Sequence, residues 1–238
     1  MKIEAWMETG EGHCTSQDRI LAMNSLLAQG KLEAEVVNDA EGFLAVLDGV
    51  GGLSGGEYAA SFVGTSLVML SLEDCSGINL REQIMGLGRV LTEKRRGATT
   101  LSGLLFCEQR CFLFHVGNTR IYGLNGEYLI PLTEDQTAVV ESGRLNDLEF
   151  RRKNGHIITG CLGGGSDHWG ERLIVQDVSE HVKRYTRLLF TTDGIHEYVS
   201  VDELENAAKG SISLREIAKI AYENGSRDDR SLMLVRKE

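Results

Sequence analysis

The chain has 238 residues, 42% of them hydrophobic and 25% charged, a globular composition that excludes a mostly disordered protein. A chain of this length buries roughly 70–75% of its unfolded surface and needs neither disulfides nor a structural metal to fold. Asp and Glu number 35 against 25 Lys and Arg, a formal net charge of -10, which speaks against an extended phosphate-backbone binder and leaves cation binding open.

In chain order, Lys2–Met7 sets Ile3, Ala5 and Met7 against Lys2 and Glu4, the period of two that predicts a strand. Arg19–Asn24 and Glu33–Asn38 are short strand candidates around Gly30. Gly42–Leu47 is a continuous apolar run, as expected of a buried strand, and it stops at Asp48-Gly49-Val50-Gly51-Gly52, where glycines raise the entropic cost of continuing. Glu57–Leu72 reads as a buried helix. Asn79 can cap a second one, whose Leu80, Ile84, Leu87 and Leu91 recur at helical spacing and whose basic end suits its dipole.

After Gly97 the pattern turns to strands: Thr100–Cys107, Arg110–Val116, Arg120–Leu124 and Glu127–Leu132, the last two joined at Asn125-Gly126, a type I′ hairpin signal. Thr137–Gly165 has no clean period. Arg172–Val178 and Thr186–Thr191 are further strands, Val201–Lys209 and Ser213–Asn224 helices, and Ser231–Arg236 a final strand. Ser213 with Glu216 forms a capping-box pattern. Strands segregated from helices predict an α+β fold, and the lack of repeats or linkers predicts one domain over residues 1–238.

Of the five cysteines, Cys107 and Cys111 flank a candidate hairpin loop that a bridge could span, but the rule that cytosolic thiols stay reduced favours free cysteines. Met1–Gly10 lacks a signal-peptide pattern and no apolar run approaches the ~20 residues of a membrane helix, so a cytoplasmic protein without membrane or nucleic-acid partners is expected.

Three aspartates stand where a strand meets a turn: Asp48 after FLAVL, Asp193 after RLLFTT, and Asp228 before the last strand. Each alone is an ordinary turn residue. Converging, they would repel one another unless protonated or bridged by cations, and oxygen donors select hard ions.

The ordered set of motifs resembles the metal-dependent protein phosphatases, the protein phosphatase 2C family, over nearly the whole chain. Ser16-Gln17-Asp18-Arg19 is similar to its first acidic motif, Asp48–Gly52 to DGxGG, Gly97–Leu101 to its GTT strand entry, and His115–Tyr122 to its VGDSR strand pair. Leu132–Gln136 resembles LTxDH, Ile158–Gly163 its LT-x-x-LG segment, Thr192-Asp193-Gly194 its TDG, and Ser226–Ser231 its S-x-DN-x-(S/T).

The resemblance implies two stacked antiparallel β-sheets with a pair of helices on each outer face, an αββα sandwich, and a flap at about residues 138–172. It implies a serine/threonine phosphatase in which a hydroxide bridging two divalent ions, Mn²⁺ or Mg²⁺, attacks phosphorus. Asp48 would bridge both ions, the Gly49 carbonyl would ligate one, Asp193 and Asp228 would hold the other, and Asp18 would orient a metal-bound water. Expected partners are a phosphorylated protein substrate and a serine/threonine kinase, with the chain a monomer. Arg151-Arg152-Lys153, in the flap, could contact an acidic phosphoprotein.

Among the positions that depart from the family, His13 stands in place of a phosphate-binding arginine and offers a weaker contact; Gln17 replaces a glutamate; Asn118 replaces an aspartate tied to a third ion, which makes that ion doubtful here; and Val50 replaces a histidine of eukaryotic members. The first three motivate an alternative, a non-catalytic pseudophosphatase-type module that binds a phosphoprotein or kinase. His115 is expected to be a satisfied core histidine and His196 a candidate for the rim of the site.

Overall fold

The structure is a computed structural model, and it describes residues 1–37, 41–51, 55–70, 76–165 and 170–237. Gly52 of the glycine turn and the side chains of Arg151 and Arg152 lie outside that description, as do the ends of two predicted elements at Asn38 and Leu72.

The strands are β1 (Lys2–Glu8), β2 (Arg19–Ala22), β3 (Ser25–Leu27), β4 (Gly30–Glu35), β5 (Gly42–Leu47), β6 (Ala98–Thr99), β7 (Leu101–Cys107), β8 (Arg110–Val116), β9 (Arg120–Asn125), β10 (Tyr128–Pro131), β11 (Leu162–Gly163), β12 (Ile174–Asp177), β13 (Arg187–Thr191) and β14 (Arg230–Arg236). They form two six-stranded sheets, β10-β9-β13-β14-β1-β4 and β12-β8-β7-β5-β2-β3, with β11 and β6 paired beside them. Every pairing is antiparallel. The long helices are α1 (Gly56–Met69) and α2 (Gly77–Lys94). Short helices α3 (Ala138–Glu141), α4 (Leu148–Asn154), α5 (Ser179–Val182) and α6 (Asp193–His196) precede α7 (Val201–Lys209) and α8 (Leu214–Glu223).

Three apolar layers hold the sandwich. Ile3, Ala5, Met7, Leu44, Val46, Phe190 and Met233 belong to the layer between the sheets. Phe43, Ala45 and Leu47 join Ala59, Val63, Ile84 and Leu91 under α1 and α2. Leu189, Leu232 and Leu234 join Leu204, Ile217 and Ala221 under α7 and α8. β5 thus alternates between two buried layers, the physical reason its sequence is apolar without interruption. The αββα expectation is met.

Local differences have local causes. Ser76 caps α2, its hydroxyl accepting from the Asn79 N–H at 3.2 Å, so the cap lies three residues before the expected one at Asn79. The Asn79 side chain instead accepts from Gln83 Nε2 at 2.8 Å. The reciprocal capping box forms at Ser200 and Glu203, while Ser213 accepts from the Glu216 N–H. Cys111 is a free buried thiol and Cys107 is disulfide-bonded, so the bridge across their hairpin is absent and the expectation of reduced cysteines fails at Cys107. The reduced-thiol rule describes a compartment and carries no geometry. Burial pushes the Cys111 thiol up to about 12.

Packing at Gly103 in β7 is tight. A Cβ there would lie 2.2 Å from the Phe114 ring and 2.7 Å from the Leu44 carbonyl oxygen, a backbone atom that cannot swing away. Phe114 is locked in turn by an edge contact to Phe43, with ring centroids 5.9 Å apart. Gly103→Ala is expected to lower stability by about 2–3 kcal/mol through overpacking, visible as a fall of several degrees in the melting temperature. An unchanged melt would show that this part of the core is looser than described.

Candidate active site

Strand pairing brings the acids together. β2 runs antiparallel to β5 with Arg19 opposite Leu47, which sets Asp18 and Asp48, each one residue beyond the ladder, side by side. β13 runs antiparallel to β14 with Thr191 opposite Leu232, so Asp193 leaves one strand where Asp228 enters the other. The two sheets present these ends at one edge of the sandwich, and residues 180 positions apart share one pocket.

That pocket, about 380 Å³, is lined by His13, Asp48, Gly49, Val50, Asn118, His156, Asp193 and Asp228, among others. Asp48 is fixed through its backbone: its N–H donates to Thr100 Oγ1 at 3.1 Å, and its carbonyl accepts from the Thr100 N–H at 2.8 Å. Gly49 must be glycine, because a Cβ would fall 2.4 Å from the backbone carbon of Gly56. Asp193, the first residue of α6, accepts from Asn118 Nδ2 at 2.9 Å. Asp228 is exposed at the rim, where its Oδ1 accepts from the Asp229 N–H at 2.8 Å. Asp18 does not line the pocket. It lies buried below it, 1% exposed, and accepts from Thr192 Oγ1 at 2.9 Å.

The electrostatics are those of like charges held out of water. Burial first, then Asp193 and Asp18, hold the Asp48 carboxyl well above the usual carboxylate range. Burial and then Asp229 do the same for Asp18. The Asp193 carboxyl is pushed up to about 6 by burial first and Asp228 second. The described residues of the pocket offer these acids a neutral amide, Asn118, but no lysine or arginine.

Such a donor set fits hard divalent cations. The carboxylates are oxygen ligands, and two further buried oxygens, Gln17 Oε1 and Asn118 Oδ1, have no hydrogen-bond partner. Gln17 Oε1 lies beside the glycine turn, where a Cβ on Gly51 would be 3.7 Å from it. His13, Asp228 and Asp229 also bring potential ligand atoms within 4.8 Å of one another. Asp229, however, accepts from the Gly10 N–H at 2.6 Å, the Gln17 N–H at 2.6 Å and the His13 ring at 3.2 Å. Its oxygens are committed to protein donors.

Two histidines separate cleanly from the site and one joins it. His115 is a core histidine, as expected: Nδ1 meets Ser102 Oγ and Nε2 meets the Glu134 carbonyl, each at 2.8 Å. His196 is not at the rim. The turn of α6 buries it with Nδ1 2.9 Å from Thr191 Oγ1, and burial holds its pKa well below the ordinary value. His156, which no sequence signal marked, lines the pocket from the flap between α4 and β11. Arg172 ties this flap down through Glu141 and Thr159.

Among known proteins, the serine/threonine protein phosphatase PstP of Mycobacterium tuberculosis is 26% identical over 203 residues, a match covering 75% of this chain and 36% of PstP. The chain therefore spans about a third of the length of the curated relative it matches. No family model matches. A point variant of a bacterial serine phosphatase is similar with a TM-score of 0.76 at 20% identity, over 99% of this chain and 97% of that one. The serine/threonine phosphatase Stp1 of Staphylococcus aureus follows with a TM-score of 0.74 at 20% identity, over 99% and 94% of the two chains. This chain carries the fold of the bacterial serine/threonine phosphatases and is similar in sequence to one of them.

Proposed function

We propose that the protein is a metal-dependent phosphatase that hydrolyses phosphoserine and phosphothreonine in proteins. The observation that carries this reading is the convergence of Asp48, Asp193 and Asp228, from strand ends in both sheets, on one pocket with no neutralising lysine or arginine among its described lining residues. Asp48, the Gly49 carbonyl, Asp193 and Asp228 would hold two Mn²⁺ or Mg²⁺ ions. Bound there, such ions supply a nucleophile from water at neutral pH and offset charge on the phosphoryl oxygens.

The chain's own residues do the rest. Asp18, buried and anchored by Thr192, orients water at the site. His13, at the pocket wall, contacts the substrate phosphoryl group. Asn118 donates to Asp193 and holds it in place, and its neutral side chain disfavours a third ion. Val50 lines the pocket without a titratable group and offers the leaving alkoxide no proton.

No helix among the described residues is long and apolar enough to cross a membrane. The reading carries with it a cytoplasmic monomer whose partners are phosphoproteins, a serine/threonine kinase among them. Purified protein is expected to hydrolyse an aryl phosphate and a phosphothreonine peptide only when Mn²⁺ or Mg²⁺ is added. Phosphopeptide binding without turnover of either substrate would return the non-catalytic binding module in its place.

A further inference from the structure

The buried carboxylate of Asp229 has no part in the reading above. It is 2% exposed, yet among the described residues no lysine or arginine pairs with it. An anion so placed must be met by hydrogen-bond donors. Two are the backbone N–H groups of Gly10 and Gln17, both at 2.6 Å, and they bracket the loop that carries His13. The third is the His13 ring, with Nδ1 3.2 Å from Asp229 Oδ2.

A carboxylate only accepts, so Nδ1 must carry the proton whether the ring is neutral or charged. The other nitrogen, Nε2, lies across the ring from Asp229, and His13 lines the pocket. One side chain therefore fixes the loop at both ends and the ring in the middle. The arrangement also joins two departures in one contact: histidine stands where the family resemblance implies arginine, and Asp229 where it implies asparagine.

We propose that Asp229 is a positioning residue for His13, fixing the Nδ1–H tautomer and presenting Nε2 to the substrate's phosphoryl group. In the neutral Nδ1–H tautomer Nε2 accepts from a P–OH group, and only in the ring protonated at both nitrogens does it donate to an ionised phosphoryl oxygen. The inference rests on the phosphatase reading for its purpose and on the metal-free geometry for its substance.

The test has two arms. In the metal-free protein, long-range ¹H–¹⁵N correlation spectra of the imidazoles are expected to show His13 protonated at Nδ1, and Asp229→Asn to release that preference. With Mn²⁺ and a phosphopeptide, Asp229→Asn is expected to raise KM about tenfold with little change in kcat, as loss of one charge-assisted hydrogen bond predicts. His13→Ala with Asp229→Asn should be no worse than the worse single variant, because both remove one contact. His13→Arg with Asp229→Asn should recover KM better than His13→Arg alone, which leaves the guanidinium drawn to Asp229.

A wild-type His13 protonated at Nε2 alone overturns the proposal, even where Asp229→Asn does not fold. Additive effects of the two substitutions overturn it as well. A wild-type protein without metal-dependent turnover but with the Nδ1–H tautomer would refute the phosphatase reading and leave the Asp229–His13 geometry standing.

Discussion

Asp48→Asn is expected to remove metal-dependent phosphatase activity almost entirely, by about a thousandfold or more. Asp48 comes from the sheet opposite Asp193 and Asp228 and lines the same pocket. An asparagine keeps the size and the backbone bonds to Thr100 but removes the anion. Several kcal/mol of transition-state stabilisation depend on cations held at such a position, and each 1.36 kcal/mol is a factor of ten in rate. Steady-state hydrolysis of an aryl phosphate at saturating Mn²⁺ reads the loss. Circular dichroism should show an unchanged fold, because Asp48 contributes no packing to the core. Activity within tenfold of wild type would mean that Asp48 is not where the chemistry is organised.

The second large effect runs in the opposite direction. Asp193→Asn should also abolish activity, yet it should stabilise the metal-free protein. The Asp193 carboxyl sits at about 6 in the fold against an ordinary value of 3.8. The folded state therefore binds more protons than the unfolded state between those values, and stability falls as pH rises through that window. Above about pH 6 the penalty is complete, at most about 3 kcal/mol. Below about pH 4 both states are protonated and it is gone.

In denaturant titrations without metal, Asp193→Asn should exceed wild type by about 2 kcal/mol at pH 7.5 and match it near pH 4. Saturating Mn²⁺ should reverse the order, since only the wild-type site gains binding free energy from the ion. A stability difference independent of pH would show that Asp193 is not strained by its acidic neighbours.

Sequence carried much of this, for reasons that can be named. β5 is apolar throughout because both its faces are covered, so the run in GFLAVL marks a central strand directly. Asp48, Asp193 and Asp228 are legible because each ends or precedes an apolar strand beside a turn, and antiparallel pairing makes such ends neighbours.

The roles of Asp229 and His156 are not legible. Asp228 and Asp229 are adjacent and chemically identical. What separates them is which carboxylate turns toward backbone N–H groups more than 200 residues away. His156 reaches the pocket from the flap, whose sequence has no period to fix a direction. His196 misleads for the opposite reason: it lies three residues after Asp193, but one turn of α6 carries it round to Thr191 and away from the acids. The α2 cap moved because Ser76 and Asn79 are both good caps, and Ser76 is the one that reaches a free N–H.

Anomalous scattering at the manganese edge, from crystals grown in millimolar Mn²⁺, tests the central claim most directly. The account predicts two peaks between Asp48, Asp193 and Asp228, and their loss in Asp48→Asn. A pocket without manganese at that concentration, or ions bound only elsewhere on the protein, would contradict it.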